Sequence, residues 1–153
     1  MSFFNTSPTT ATKTLRVLAH LLSYPDAELR SHLSELQSAL HDEGALSGAR
    51  LAELDALITR LSRRSPLEVE ADHVELFDRG RGTALHLFEH VHGDSRDRGP
   101  AMVDLCQTYE AAGLFLAPGE LPDHLTVVLQ YASTQPPVQT RAFLAEIAHI
   151  LQV

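Results

Sequence analysis

The sequence predicts an all-α protein, a single-domain helical bundle of about six to eight helices. Leucines recur three and four residues apart through the first half, the spacing that places them on one stripe of a helix. Alternation of β-branched and aromatic residues, which would mark strands, is nearly absent. A chain of 153 residues, 44% hydrophobic and 21% charged, has the composition of one globular domain. A chain of that length buries roughly 70% of its unfolded surface around one core.

The elements follow in order. A first helix is expected from Thr12, with Leu15, Leu18 and Leu22 on one face, ending near Tyr24 because Pro25 disfavours helix before it. A second carries Leu29, Leu33, Leu36 and Leu40 and stops at Gly44, a residue suited to a left-handed C-terminal turn. A third holds Leu51, Leu54, Leu57, Ile58 and Leu61 and ends in Arg60, Arg63 and Arg64, whose charge suits the helix dipole. Ser65-Pro66-Leu67-Glu68 reads as a capping box with proline in the first turn, opening a helix whose face includes Val69, His73, Val74 and Phe77 and which ends before Gly80. Glycines and prolines cut the second half into shorter pieces. They leave a short helix over Thr83 to His90, a polar loop from Gly93 to Gly99, and a helix from Pro100 that groups Val103, Cys106 and Tyr109 before Gly113. Two last helices are expected over Pro122 to Ser133 and from Val138 onward. Residues 1–11 read as a flexible segment ahead of a helical domain over 12–153. The last helix meets no stop signal, so the sequence reads as a shortened form of a longer helical protein.

Composition excludes several classes of function. A net charge of −8 opposes a phosphate-binding surface, so no nucleic-acid partner is expected and a basic partner fits better. No apolar run approaches the ~20 residues needed to span a bilayer, so no stable membrane insertion is expected. Met1 to Thr14 lack the apolar stretch of a secretory signal, giving a cytoplasmic expectation. Cys106 is the one cysteine, which rules out an internal disulfide and fits a buried packing role in a reducing compartment.

The sharpest chemical motif is His86-Leu87-Phe88-Glu89-His90, an H-x-x-E-H pattern. On a helix His86 and His90 would share a face as zinc ligands, with Glu89 placed to activate water. The inverted zinc-peptidase pattern also needs a distant carboxylate and a cleft in a larger enzyme, so a histidine-rich, partly packed helix is the preferred reading, and no metal or cofactor is expected. There is no G-x-S-x-G elbow, and Gly80-Arg81-Gly82 lacks the strand and spacing of a phosphate loop. Glu68, Glu70, Asp72, Glu75 and Asp78 read as a solvated helix face. Acid and base alternate around glycine in Phe77 to Arg81 and in Asp94 to Gly99, a pattern that favours local Arg–carboxylate knitting over guanidinium groups offered to a partner. Asp123 is a candidate helix cap behind Pro122, and His124 a polarised group facing a groove. The unstopped terminal helix leaves a helical oligomerisation module as a further alternative.

Four separated segments carry a resemblance: Leu22-Ser23-Tyr24-Pro25, Glu75 to Gly80, Leu85 to Gly93 with Ser95 to Gly99, and Glu120-Leu121-Pro122-Asp123-His124-Leu125. Together they resemble the respiratory nitrate reductase assembly chaperones, the delta-subunit branch of the molybdenum redox enzyme maturation chaperones, over about Leu15 to Val153. The resemblance implies an all-helical cytoplasmic chaperone without catalytic turnover. Such a protein binds the N-terminal peptide of the nitrate reductase catalytic (alpha) subunit, keeps it competent for molybdenum cofactor insertion and stays out of the final enzyme. Molybdenum cofactor delivery proteins are candidate further partners. Glu120, Pro122, Asp123 and His124 match the family's acidic-proline-Asp-His signature. With the neighbouring motifs they give the expected peptide-binding residues: Phe77, Arg79, His86, Phe88, His90, Tyr109, Glu120, Pro122, Asp123, His124, Leu125 and Leu129. Thr126 departs from a proline common in this branch, Gly82 and Thr83 vary the usual loop, and the chain stops before the family's C-terminal helices.

Overall fold

The computed structural model describes residues 10–93 and 95–152. Most of the expected N-terminal segment, together with Asp94 and Val153, lies outside the described residues. Nine α-helices follow one another there: α1 (Thr12–Leu21), α2 (Ala27–Ser31), α3 (Leu33–Glu43), α4 (Gly48–Arg63), α5 (Pro66–His73), α6 (Leu87–Val91), α7 (Arg98–Ala111), α8 (Leu125–Thr134) and α9 (Pro137–Leu151). One π-helical turn, Val74–Asp78, continues α5, and a single 3₁₀ turn spans Arg81–Thr83. The all-α expectation holds.

Helix α1 is the hub because its apolar residues point two ways. Val17 and Leu21 pack with Leu33, Leu40 and Ile58 of α3 and α4. Leu15 and Ala19 pack with Leu129 and Ala132 of α8, flanked by Phe143 and Leu144 of α9. Full burial of each such leucine stabilises the fold by about 1.5–3 kcal/mol. Ala11 offers no side-chain cap to α1, so the end of α3 supplies one: Glu43 accepts the backbone N–H groups of Lys13 and Thr14 at 3.0 and 2.8 Å. Burial alone would raise the Glu43 pKa, but the hydrogen bonds from Thr14 and Lys13 outweigh it and hold the carboxyl below its usual range.

Sequence punctuation places several boundaries correctly. Ser65 and Glu68 form the full capping box of α5, Gly44 ends α3 with φ 66°, and Gly113 follows α7 with φ 81°. Other boundaries move. The second expected helix breaks at His32 into α2 and α3, because Asp26 caps a one-turn helix through Leu29 N–H at 2.8 Å before Leu33 turns into the core. Helix α7 starts at Arg98 instead of Pro100, and only Tyr109 of its expected trio is buried. Val103 is exposed and Cys106 half-buried, so the buried role expected for the cysteine is only partly met. The acidic stretch is the solvated face expected, Glu68, Asp72, Glu75 and Asp78 all being exposed, with surface ion pairs added: Glu70 with Arg30, and Glu68 and Asp72 with Arg64.

Candidate functional site

The two flanks of α1 leave a third strip between them, and an apolar concave surface lies over it. Leu18 and Leu22 sit on that strip; Leu54, Leu57 and Leu61 of α4, Leu76 and Phe77 of the π-helical turn, and Leu125 and Leu129 of α8 complete an apolar groove of about 430 Å³. Its polar lining is limited to Ser23, Arg60, Asp72 and His73. Leu57 and Leu76 remain 38% and 50% exposed along it. The π-helical turn brings Leu76 and Phe77 there: the Thr83 hydroxyl donates to the Leu76 carbonyl, and Gly80 passes so close that an added Cβ would lie 2.8 Å from that oxygen. Gly80 is therefore required for lack of space, its φ of −88° being ordinary.

Beside the groove lies a polar knot built from the later motifs. The expected helix over Thr83 to His90 does not form as such. His86 is extended, and its backbone pairs with that of His124 in an isolated antiparallel bridge, Leu125 N–H donating to the Leu85 carbonyl at 2.8 Å. With His86 outside α6, the two-histidine helical face required by the zinc reading does not exist. Among the described residues no group of three or more His, Cys, Asp or Glu is arranged to hold a metal ion.

Asp123 is fully buried, and its role differs from the expected cap. Its Oδ2 accepts the Phe88 N–H at 3.1 Å and its carbonyl accepts the Leu87 N–H at 3.0 Å, so it braces the start of α6. Its Oδ1, buried without a hydrogen bond, faces His86 Nδ1 at 3.6 Å. The helix cap is His124, because α8 begins at Leu125 and not at Pro122. Nδ1 of His124 accepts the Thr126 N–H at 3.3 Å and lies 2.7 Å from the Thr126 hydroxyl. Burial lowers the His124 pKa and the nearby His86 lowers it further, against an upward pull from Asp123. The neutral ring that results is the form able to accept at Nδ1.

The remaining expected residues separate spatially. Phe77, Leu125 and Leu129 line the groove. Arg79 is exposed and pairs with Glu75 at 3.2 Å, and His90 Nε2 donates to the Ala84 carbonyl at 2.8 Å. The Phe88 ring stacks edge-on against His92 at 5.4 Å. Tyr109 is buried, donating its hydroxyl to the carbonyl of the buried Pro122 at 2.7 Å, and desolvation holds the phenol above its usual pKa range. With Glu120, Tyr109 lines a second depression of about 350 Å³, floored by α1 and α8 residues Arg16, His20 and Tyr131. Sequence reasoning missed Leu18, Leu22, Leu54, Leu57, Leu61 and Leu76. Their signal was a surplus: α1 and α4 carry more leucines than one packing stripe needs.

The site is thus an apolar groove beside a buried polar brace on an all-helical bundle. A crystal structure of a proposed redox enzyme maturation protein from Archaeoglobus fulgidus matches with a TM-score of 0.64, covering 98% of this chain and 86% of that one at 18% identity. That likeness is one of fold. The chain belongs to the family described as nitrate reductase delta subunit, whose profile matches residues 23–151. It is 45% identical over 137 residues to the nitrate reductase molybdenum cofactor assembly chaperone NarJ of Escherichia coli K12, covering 90% of this chain and 58% of that protein. It is 43% identical to NarW of the same strain, covering 90% and 56%. The chain thus spans less than two thirds of the length of these relatives.

Proposed function

We propose that this protein is a cytoplasmic assembly chaperone, without turnover of its own, that binds the N-terminal peptide of a nitrate reductase catalytic subunit and keeps that subunit competent for molybdenum cofactor insertion. The observation that carries the reading is the apolar groove between α1, α4, the π-helical turn and α8, in a chain of the delta subunit family. An amphipathic peptide helix laid there covers leucines that the fold leaves partly in water. Ordering the peptide costs several kcal/mol, which offsets much of this gain and leaves a reversible complex suited to later release. The net charge of −8 favours a basic peptide and a salt-dependent encounter rate. Molybdenum cofactor delivery proteins would then meet the chaperone through other surfaces. The family's Asp-His signature supports the groove indirectly in this reading: Asp123 holds α6 and His124 starts α8, which carries Leu125 and Leu129 into the wall.

Isothermal titration with the catalytic subunit's N-terminal peptide tests the proposal. Saturable binding that weakens with added salt is expected. Absence of heat at protein concentrations in the hundreds of micromolar would refute it.

A further inference from the structure

Among the groove's polar residues, His73 is the one set within the apolar wall with its bonding capacity unspent. The Ser23 hydroxyl donates to the Ala19 carbonyl at 2.8 Å, Asp72 is paired with Arg64, and Arg60 lies exposed on the last turn of α4. The His73 ring is held edge-on between Tyr24, with centroids 5.6 Å apart at 90°, and Phe77, at 4.8 Å and 60°. No hydrogen bond reaches its nitrogens among the described residues. Resting on the reading of this groove as a peptide site, we propose that His73 is its specificity-determining residue: it selects an occupant whose apolar face carries one hydrogen-bonding side chain set against the imidazole.

The physical basis is the asymmetry between a missing and an unmade hydrogen bond. A wholly apolar helix laid over His73 strips water from the ring and returns nothing, a loss of about five- to a hundred-fold in Kd. A helix with a serine, asparagine or glutamine at that place avoids the loss. Sites that reject ligands lacking one polar group discriminate more sharply than sites that measure apolar size. The charged and titratable groups around the ring are Tyr24 edge-on to it, Asp78 on the π-helical turn, Arg60 on α4 and Asp72 on α5 in the same groove, and His124 at the start of α8. Burial already lowers the His73 pKa from 6.5, with Asp78 pulling the other way. Covering the ring lowers it further, so protonation competes with binding and affinity falls as the pH drops.

The test titrates the catalytic subunit's N-terminal peptide, and single-alanine versions of each of its polar residues, into wild type, His73→Phe and His73→Gln between pH 8 and 5.5. In wild type one alanine version is expected to lose at least fivefold in affinity, and Kd to rise by up to about tenfold per pH unit at the acid end. His73→Phe keeps the ring packing, so it should bind the parent peptide but flatten both the alanine profile and most of the pH slope. His73→Gln should keep the alanine profile and lose the slope. Wild-type binding with an unchanged alanine profile and slope in His73→Phe would overturn this proposal and leave the groove reading standing. No binding by wild type would overturn both.

Discussion

Leu57 and Leu76 test the groove with the least disturbance of the core, because both are partly exposed and neither belongs to a buried core cluster. Their 38% and 50% exposures together amount to a little less than one whole leucine. Covering that surface with a peptide contributes about 1.5–2.5 kcal/mol. The double variant Leu57→Ala/Leu76→Ala should therefore bind the reductase peptide about 10- to 60-fold more weakly. Its thermal midpoint should fall by several degrees, because the part of each side chain that is not exposed is buried by the fold itself, so affinity is compared at a temperature where both proteins are fully folded. Isothermal titration gives the first quantity and circular dichroism melting the second. Val103→Ala is the control, an equally exposed apolar residue on α7 outside the groove lining, and should leave affinity unchanged. Equal Kd values for wild type and the double variant, both shown to be folded at the temperature of the titration, would refute the assignment of this groove as the peptide site.

Other perturbations test the supporting architecture. Glu43→Gln, which keeps one acceptor oxygen for two N–H groups, should cost about 0.5–1 kcal/mol in chemical denaturation near pH 7, the lower part of the range for a lost helix cap. Because the folded pKa of Glu43 lies below 4.5, this stability is present above 4.5 and lost as the pH falls through the folded value, so the two proteins should converge in acid. Gly80→Ala forces a Cβ to within 2.6 Å of the Thr83 hydroxyl and 2.8 Å of the Leu76 carbonyl. It should destabilise the protein by about 1–3 kcal/mol and weaken peptide binding through displaced Leu76 and Phe77. Asp123→Ala orphans the half-buried Phe88 N–H and should lower stability by about 1–3 kcal/mol, whereas Asp123→Asn, which keeps an acceptor oxygen, should retain more of it. Equal melting temperatures for those two variants would contradict the brace.

The helices were legible where local chemistry decides them. Ser65-Pro66-Leu67-Glu68 encodes a cap within four residues, and Gly44 and Gly113 take backbone angles that other residues adopt at a cost. What failed depends on partners distant in sequence. His86 was expected in a helix because its neighbours favour one, yet its backbone pairs with His124, and no periodicity within Thr83 to His90 carries that information. Asp123 looked like a cap because it follows a proline; its actual partners, Leu87 and Phe88, come from another segment. The motif residues marked the neighbourhood of the groove more than its lining, since the lining comes mostly from leucines that resemble any other core leucine in sequence.

The two-sided packing of α1 has a consequence for synthesis. When the first four helices have left the ribosome, Val17 and Leu21 can already find α3 and α4, but Leu15 and Ala19 have nothing to cover them until α8 emerges. The link from Arg16 to Ser133 spans 117 positions and cannot form until α8 has emerged. Leu125 and Leu129 arrive with that same helix, so the nascent protein holds a sticky half-surface but no finished groove. The groove therefore cannot be complete before α8 has emerged, and a chain stopped ahead of α8 leaves Leu15 and Ala19 uncovered, an aggregation-prone fragment.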